Sequence, residues 1–254
     1  SHRVNPNDTP PLDDREAVKA YFIAERGYWR PWTDTMLQAA PGFVAQYARY
    51  AGHPARTGPL SPRMVELIYV GLDASSSHLF ESGLLTHMRR ALEVGATQRD
   101  IIDVLHLVAV QGVASVCQAS DILMELAGDN APSPPVTTDL SDRVARLGAA
   151  HGLALASVAG LAPAFAEVLC DFIEQGGTGS GLTPAESTLV QLAMHACFTA
   201  FNAGAVRQLI AHGLAQGTPV AELHQAIQLG AHLAVHGTAL GANVFRQLTE
   251  PAPQ

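Results

Sequence analysis

The sequence is poor in cysteine, in strand-forming alternation and in clustered charge, and each shortage removes a class of protein. Its three cysteines, Cys117, Cys170 and Cys197, form no CxxC pair and no zinc-ligand spacing. A sparse, odd count fits a reducing compartment, and small core residues are the ordinary reading of such cysteines. Alternating β-branched runs and Asn-Gly hairpin turns are missing, so sheets are not expected. Charged residues make up only 15%, the net charge is -8, and no block of one sign occurs. Arg63, Arg89 and Arg90 are too scattered to track a phosphate backbone, which argues against nucleic acid. No apolar run reads as long enough to cross a bilayer, so no membrane partner is expected. The start, Ser1-His2-Arg3, lacks a signal-peptide pattern, and Ser1-His2 reads as a cloning remnant. These absences together point to a cytoplasmic protein.

What is present is helical. Apolar residues make up 48% of 254, with Ala and Leu abundant, enough for a sizeable core. A shift of 122 residues lays the chain on itself without a gap. Ala40-Pro41 meets Ala162-Pro163, Leu60-Ser-Pro62 meets Leu182-Thr-Pro184, Gly95 meets Gly217, and Leu107 meets Leu229. The matched positions are apolar, Gly or Pro, which specify fold, so two tandem copies of one helical unit are expected. The first spans 20–127 and the second 141–248, joined by a Pro-rich linker at 128–140. Helix punctuation recurs in both. Ser61 caps a helix with Pro62 at its first position, flanked by a Leu60/Val65 staple, and Thr183-Pro-Ala-Glu186 is a capping box. Gly95 and Gly217 read as left-handed stops, and Thr97 as the cap of the next helix. Each copy is expected to hold three core helices, at 62–76, 82–94 and 98–126 in the first. The fold class is all-α.

Ionisable residues interrupt this apolar background in one place. Glu66 and Asp73 lie seven apart on the first core helix, hence on one face. Burying a carboxylate costs several kcal/mol unless it is paired, so partners are expected nearby. His78, Glu81 and His87 follow at once, Glu81 within one turn of His78. Five such groups within 22 residues form a candidate acid/base cluster, with Tyr69 as a wall. The second copy replaces them by Thr188, His195, Ala200, Ala203 and Leu209, so the cluster is dispensable for the fold. The competing reading is structural, with Glu66 paired to Arg63 or Arg99. Tyr28-Trp29-Arg30-Pro31-Trp32 also lacks aromatic counterparts, and Trp29 and Trp32 are expected to cover the pocket or an interface. His106 reads as structural. His232 and His236, four apart, are read as one helix face able to offer a metal pair, but no carboxylate accompanies them.

At these residues the chain resembles the carboxymuconolactone decarboxylase family, within the alkylhydroperoxidase D-like superfamily. The resemblance rests on Leu60-Ser-Pro-Arg-Met-Val-Glu-Leu-Ile and on His87-Met-Arg-Arg-Ala-Leu-Glu-Val-Gly-Ala-Thr. It implies a compact helical domain that assembles into rings. Peroxidase members carry CxxC where this chain has Phe80 and Gly83, so peroxide reduction is not expected. Decarboxylase members work without a cofactor, and His87 matches the histidine of their motif.

The favoured expectation is a cofactor-independent lyase or isomerase acting on a small organic acid, lactone or enolisable carbonyl. It uses His87, Glu66, Glu81, His78 and Asp73, with Tyr69, Trp29 and Trp32 against the substrate, and neither cofactor nor metal. Two alternatives stand beside it. One is a metal enzyme using His78, Glu81 and His87. The other is a non-catalytic oligomeric binding module. In each case a homo-oligomer is expected, a trimer by preference, because the helices are apolar on nearly every face.

Overall fold

The computed structural model describes residues 9–176 and 180–251, and the Ser1-His2 start lies outside the described residues. Among these residues the chain forms α-helices joined by turns and two short 3₁₀ segments, with no strand. The helices are α1 (Arg15–Arg26), α2 (Pro31–Ala39), α3 (Pro41–Thr57), α4 (Pro62–Ala74), α5 (Glu81–Glu93), α6 (Gln98–Val110) and α7 (Val113–Ala127). They continue as α8 (Thr138–His151), α9 (Ala156–Leu161), α10 (Pro163–Glu174), α11 (Pro184–Ala196), α12 (Ala203–Ala215), α13 (Val220–Gln228) and α14 (Val235–Thr249). The bounds of α4, α5 and α7 recur 122 residues later as those of α11, α12 and α14.

Local chemistry sets these bounds. The Ser61 hydroxyl accepts from Met64 N–H, with Pro62 at the first position of α4, where its missing N–H is harmless. Thr97 with Asp100, and Thr183 with Glu186, form reciprocal capping boxes at α6 and α11. Gly95 and Gly217, at φ 102° and 85°, carry the chain through the left-handed region after α5 and α12. Two expectations change. The helix expected over 98–126 breaks at Gln111-Gly112, where Gly112 N–H bonds back to Ala109 O in a tighter turn. In the second half the same break leaves His232 in a 3₁₀ turn and His236 in α14, so they do not share one regular helix. Taken together, Gln98–Asn130 has the length and hydropathy of a membrane span, contrary to the sequence expectation. Its residues Val104, Leu107, Val110 and Cys117 are nonetheless buried against protein, as in the core helix of a globular domain.

The chain divides into two compact units that cut across the sequence copies. One comprises residues up to Gly58 and from Ala231 onward, and the other Pro59–Gly230. In the first unit α14 packs on α2, and Val235 and Ala242 join the core of α1, α2 and α3. In the second unit α7 packs on α9, and Val113, Ala114 and Cys117 join the core of α8 and α10. The last helix of each expected copy therefore packs with the opening helices of the other. At the centre of the second unit α4 packs against α11, with Gly71 admitting Val190 and Met194. Two reciprocal bonds tie this centre. Leu60 N–H donates to Gln225 Oε1 at 2.7 Å, and Leu182 N–H to Asp103 Oδ2 at 3.0 Å.

Candidate active site

Helix α4 is buried on nearly all sides, and Glu66, Tyr69 and Asp73 recur on it every three to four residues. They therefore share a face. Beyond the helix, the Ser75 hydroxyl reaches Gly71 O at 3.1 Å and Gln111 Oε1 at 3.2 Å. The connection then folds tightly: His78 and Leu79 N–H donate to Ser75 O, and Phe80 N–H donates to Asp73 O at 2.9 Å. Leu79 adopts φ 51°, a left-handed conformation unusual for a branched side chain. This turn returns the chain over Asp73 and lays α5 against α4, with Gly83 and His87, four apart, toward the acid.

Four of the five expected ionisable residues meet here. His87 Nδ1 lies 2.6 Å from Glu66 Oε2, and its ring stands 4.6 Å from that of Tyr69. His87 Nε2 faces Asp73 Oδ2 at 3.9 Å, and His78 Nε2 faces Asp73 Oδ1 at 3.8 Å. An ionised Glu66 only accepts, so His87 Nδ1 carries a proton and Nε2 is the nitrogen turned to Asp73. The Asp73 side chain is 2% exposed, and Oδ1 is buried without a hydrogen-bond partner. Burial pushes its pKa up to about 7, against the opposing pull of His87 and helped by Glu66. Burial also lowers the pKa of His78. Two imidazoles thus flank one buried carboxylate across gaps too long for direct hydrogen bonds.

Glu81 does not join them. It opens α5 on the exposed surface, because the helix begins at residue 81 and His78 belongs to the preceding turn. The expected i,i+3 pairing needed one continuous helix. His78, Glu81 and His87 are accordingly not gathered, and among the described residues no group of three His, Cys, Asp or Glu is placed to hold a metal ion. The structural pairing of Glu66 with an arginine does not occur either. Arg63 bonds Asp100 and Glu186, and Arg99 bonds Asp103. Trp29 and Trp32 sit with Phe22 and Tyr28 in the core of the first compact unit, the packing role open to any tryptophan. His106 Nε2 meets Phe172 O at 2.9 Å, a structural contact.

The stretch 122 residues later repeats the turn bond and differs in its chemistry. Asn202 N–H donates to His195 O at 3.0 Å, as Phe80 does to Asp73. His195 is buried, and its pKa is pushed down to about 4 by desolvation. Sequence reading passed over His151, whose Nδ1 lies 2.9 Å from Gln191 Oε1. A cavity of about 780 Å³ opens beside α8, α9 and α12, with Val144, Ala154, Gln208 and His212 in its wall. None of the five cluster residues lines it. Gly83, whose backbone lies against the Asp73 carboxylate, was also missed, since a glycine inside a helix carries no chemical signal of its own.

Residues 41–123, which include the whole cluster, match the sequence model of the carboxymuconolactone decarboxylase family. No curated protein matches the chain significantly in sequence. In three dimensions the chain is similar to a Burkholderia xenovorans LB400 protein provisionally described as a gamma-carboxymuconolactone decarboxylase subunit. The TM-score is 0.82 over 94% of this chain and 98% of that one, at 23% identity. At that identity the likeness is one of fold.

Proposed function

We propose that the chain is a lyase or isomerase working by acid/base chemistry without a cofactor, a reading supported by the match of residues 41–123 to the carboxymuconolactone decarboxylase family model. The observation that carries the reading is the chain of contacts Glu66–His87–Asp73. Glu66 fixes the imidazole through Nδ1 and leaves Nε2 as the working nitrogen, the division of labour expected of an oriented general base. Asp73, titrating near neutrality, is able to hold or release a proton opposite it.

On an enolisable carbonyl, Nε2 takes the proton from the carbon next to the carbonyl, and the C–H electron pair moves into the enolate. Returning that proton to another carbon isomerises the substrate. On an acid whose carboxylate lies β to a carbonyl, C–C cleavage releases carbon dioxide and leaves the same enolate, which takes up the proton held by Asp73, relayed through His87 Nε2. The substrate class is a small organic acid, lactone or enolisable carbonyl, and the description of the Burkholderia neighbour favours a lactone acid. To His78, at the far oxygen of Asp73, we give the part of meeting a substrate carboxylate or hydroxyl, with Tyr69 against the imidazole of His87. We assign the enzyme to the cytoplasm, in keeping with its three buried free cysteines.

The test is turnover on a panel of γ-lactone acids and β-keto acids, followed as carbon dioxide release and as C–H exchange in deuterated water. His87→Ala and Glu66→Gln should each lower turnover at least about tenfold with the fold intact. Full activity in both variants, or no turnover by the wild type on any member, transfers the site to a binding module.

A further inference from the structure

We infer that Gly83 is a positioning residue for Asp73: its missing side chain is the space in which the carboxylate sits. The inference rests on the acid/base reading above and extends it to a residue without chemistry of its own. A Cβ at position 83 would lie 2.5 Å from Asp73 Oδ2 and 2.5 and 2.8 Å from the Cδ1 and Cε1 atoms of Phe80. These separations are far inside contact. The Phe80 ring can turn aside, whereas the Asp73 side chain is enclosed on all sides and joined to the helix that carries Glu66.

Backbone need does not explain the glycine. Gly83 is the third residue of α5 and is not among the positive-φ positions. An alanine would suit the helix better there. The second copy shows the alternative. Its counterpart is Ala205, buried in the first turn of α12, and Ala205 N–H is capped by the Asn202 side chain at 3.0 Å. Where Asp73 is replaced by His195, the Cβ returns and so does the cap. In the first copy Phe80 supplies no side-chain cap to α5. The glycine, the missing cap and the buried acid therefore occur together, and all three are absent together 122 residues later.

The consequence is specific. The groups facing Asp73 are His87 from α5, His78 from the connecting turn and Glu66 from α4 itself. Gly83 sets how closely the carboxylate approaches both imidazoles. A methyl group at 83 pushes it back and changes its 3.9 Å separation from the His87 imidazole.

The experiment follows the His87 ring by NMR, through its Cε1–H signal assigned by loss in His87→Ala. The panel is wild type, Gly83→Ala, Asp73→Ala and the double variant, with Ala205→Gly as control. Gly83→Ala should keep its helical content while the His87 Cε1–H signal at pH 7 moves clear of its wild-type position, and turnover should drop about tenfold. In the Asp73→Ala background Gly83→Ala should move the signal no further, since the partner is gone. Ala205→Gly should leave the signal in place. An unmoved signal in Gly83→Ala, or an equal displacement with and without Asp73, overturns the inference, because the clash would then be with Phe80 alone. If Gly83→Ala does not fold, a folded double variant supports it and an unfolded one overturns it. Absence of turnover in the wild type defeats the acid/base reading, while the NMR signals still decide the role of Gly83.

Discussion

Replacing Asp73 by asparagine should stabilise the protein at neutral pH, an unusual outcome for a candidate catalytic acid. The pKa of Asp73 rises from 3.8 to about 7 because burial opposes its ionisation. Between those values the folded state binds more protons than the unfolded one, so stability is full below about pH 4 and is lost as pH rises toward 7. About three pH units at 1.36 kcal/mol each amount to roughly 4 kcal/mol. The wild-type curve alone does not reveal this, because His195 has the opposite sign. Its pKa falls from 6.5 to about 4, so its contribution is present above pH 6.5 and is lost as pH drops through 4, on the order of 3 kcal/mol. The two slopes nearly cancel across the same window. The difference between Asp73→Asn and wild type removes the shared His195 slope. Urea unfolding at fixed protein concentration, from pH 4.5 to 8, should show a difference of about 1 kcal/mol or less at the acid end, growing to several kcal/mol by pH 7.5. Parallel curves across the whole range would refute the assignment of a buried, proton-holding Asp73.

Two further outcomes are expected. Ile122, Leu123 and Leu126 on α7 stand exposed, and 122 residues later so do Val244, Phe245 and Leu248 on α14. Since monomers rarely expose such stripes, light scattering should give a multiple of 26.8 kDa, three copies by preference, and Leu126→Glu with Leu248→Glu should lower it; a single 26.8 kDa species in the wild type would sink this. Cys117 is buried, and desolvation with nearby Asp121 raises its thiol to about 11, so alkylating reagents at pH 7 should leave activity intact; inactivation that maps to Cys117 would show the thiol to be in use.

The readable parts of this fold are those governed by neighbours in sequence. Ser61, Thr97 and Thr183 each start a helix through bonds reaching no further than three residues, so their signatures survive in the sequence alone. The 98–126 break was hidden because Gln111-Gly112 carries neither a left-handed glycine nor a proline, and apolar residues continue on both sides. The exchange of α7 and α14 between copies depends on contacts across the chain, which local periodicity does not encode. At the site, Glu66 and His87 were legible because the second copy lacks both. Glu81 was misplaced by assuming one helix through 78–81, where a left-handed Leu79 intervenes.

The comparison between copies also separates folding from function. At residues 73–87 the first copy accepts a left-handed Leu79, an α5 start without a side-chain cap and a buried Asp73 oxygen without a hydrogen bond. Each is unfavourable taken singly, by about a kcal/mol or more. The equivalent stretch of the second copy has none of them among the described residues: Phe201 is not in the left-handed region, Asn202 caps α12, and no atom of His195 is a buried orphan. The backbone bond that shapes the turn is nevertheless the same in both, from Phe80 to Asp73 and from Asn202 to His195. A relaxed solution to the same fold is therefore available within one chain. Irregularities that persist beside it, gathered on the residues that hold Asp73 between two imidazoles, are better explained by what those residues do than by the needs of folding.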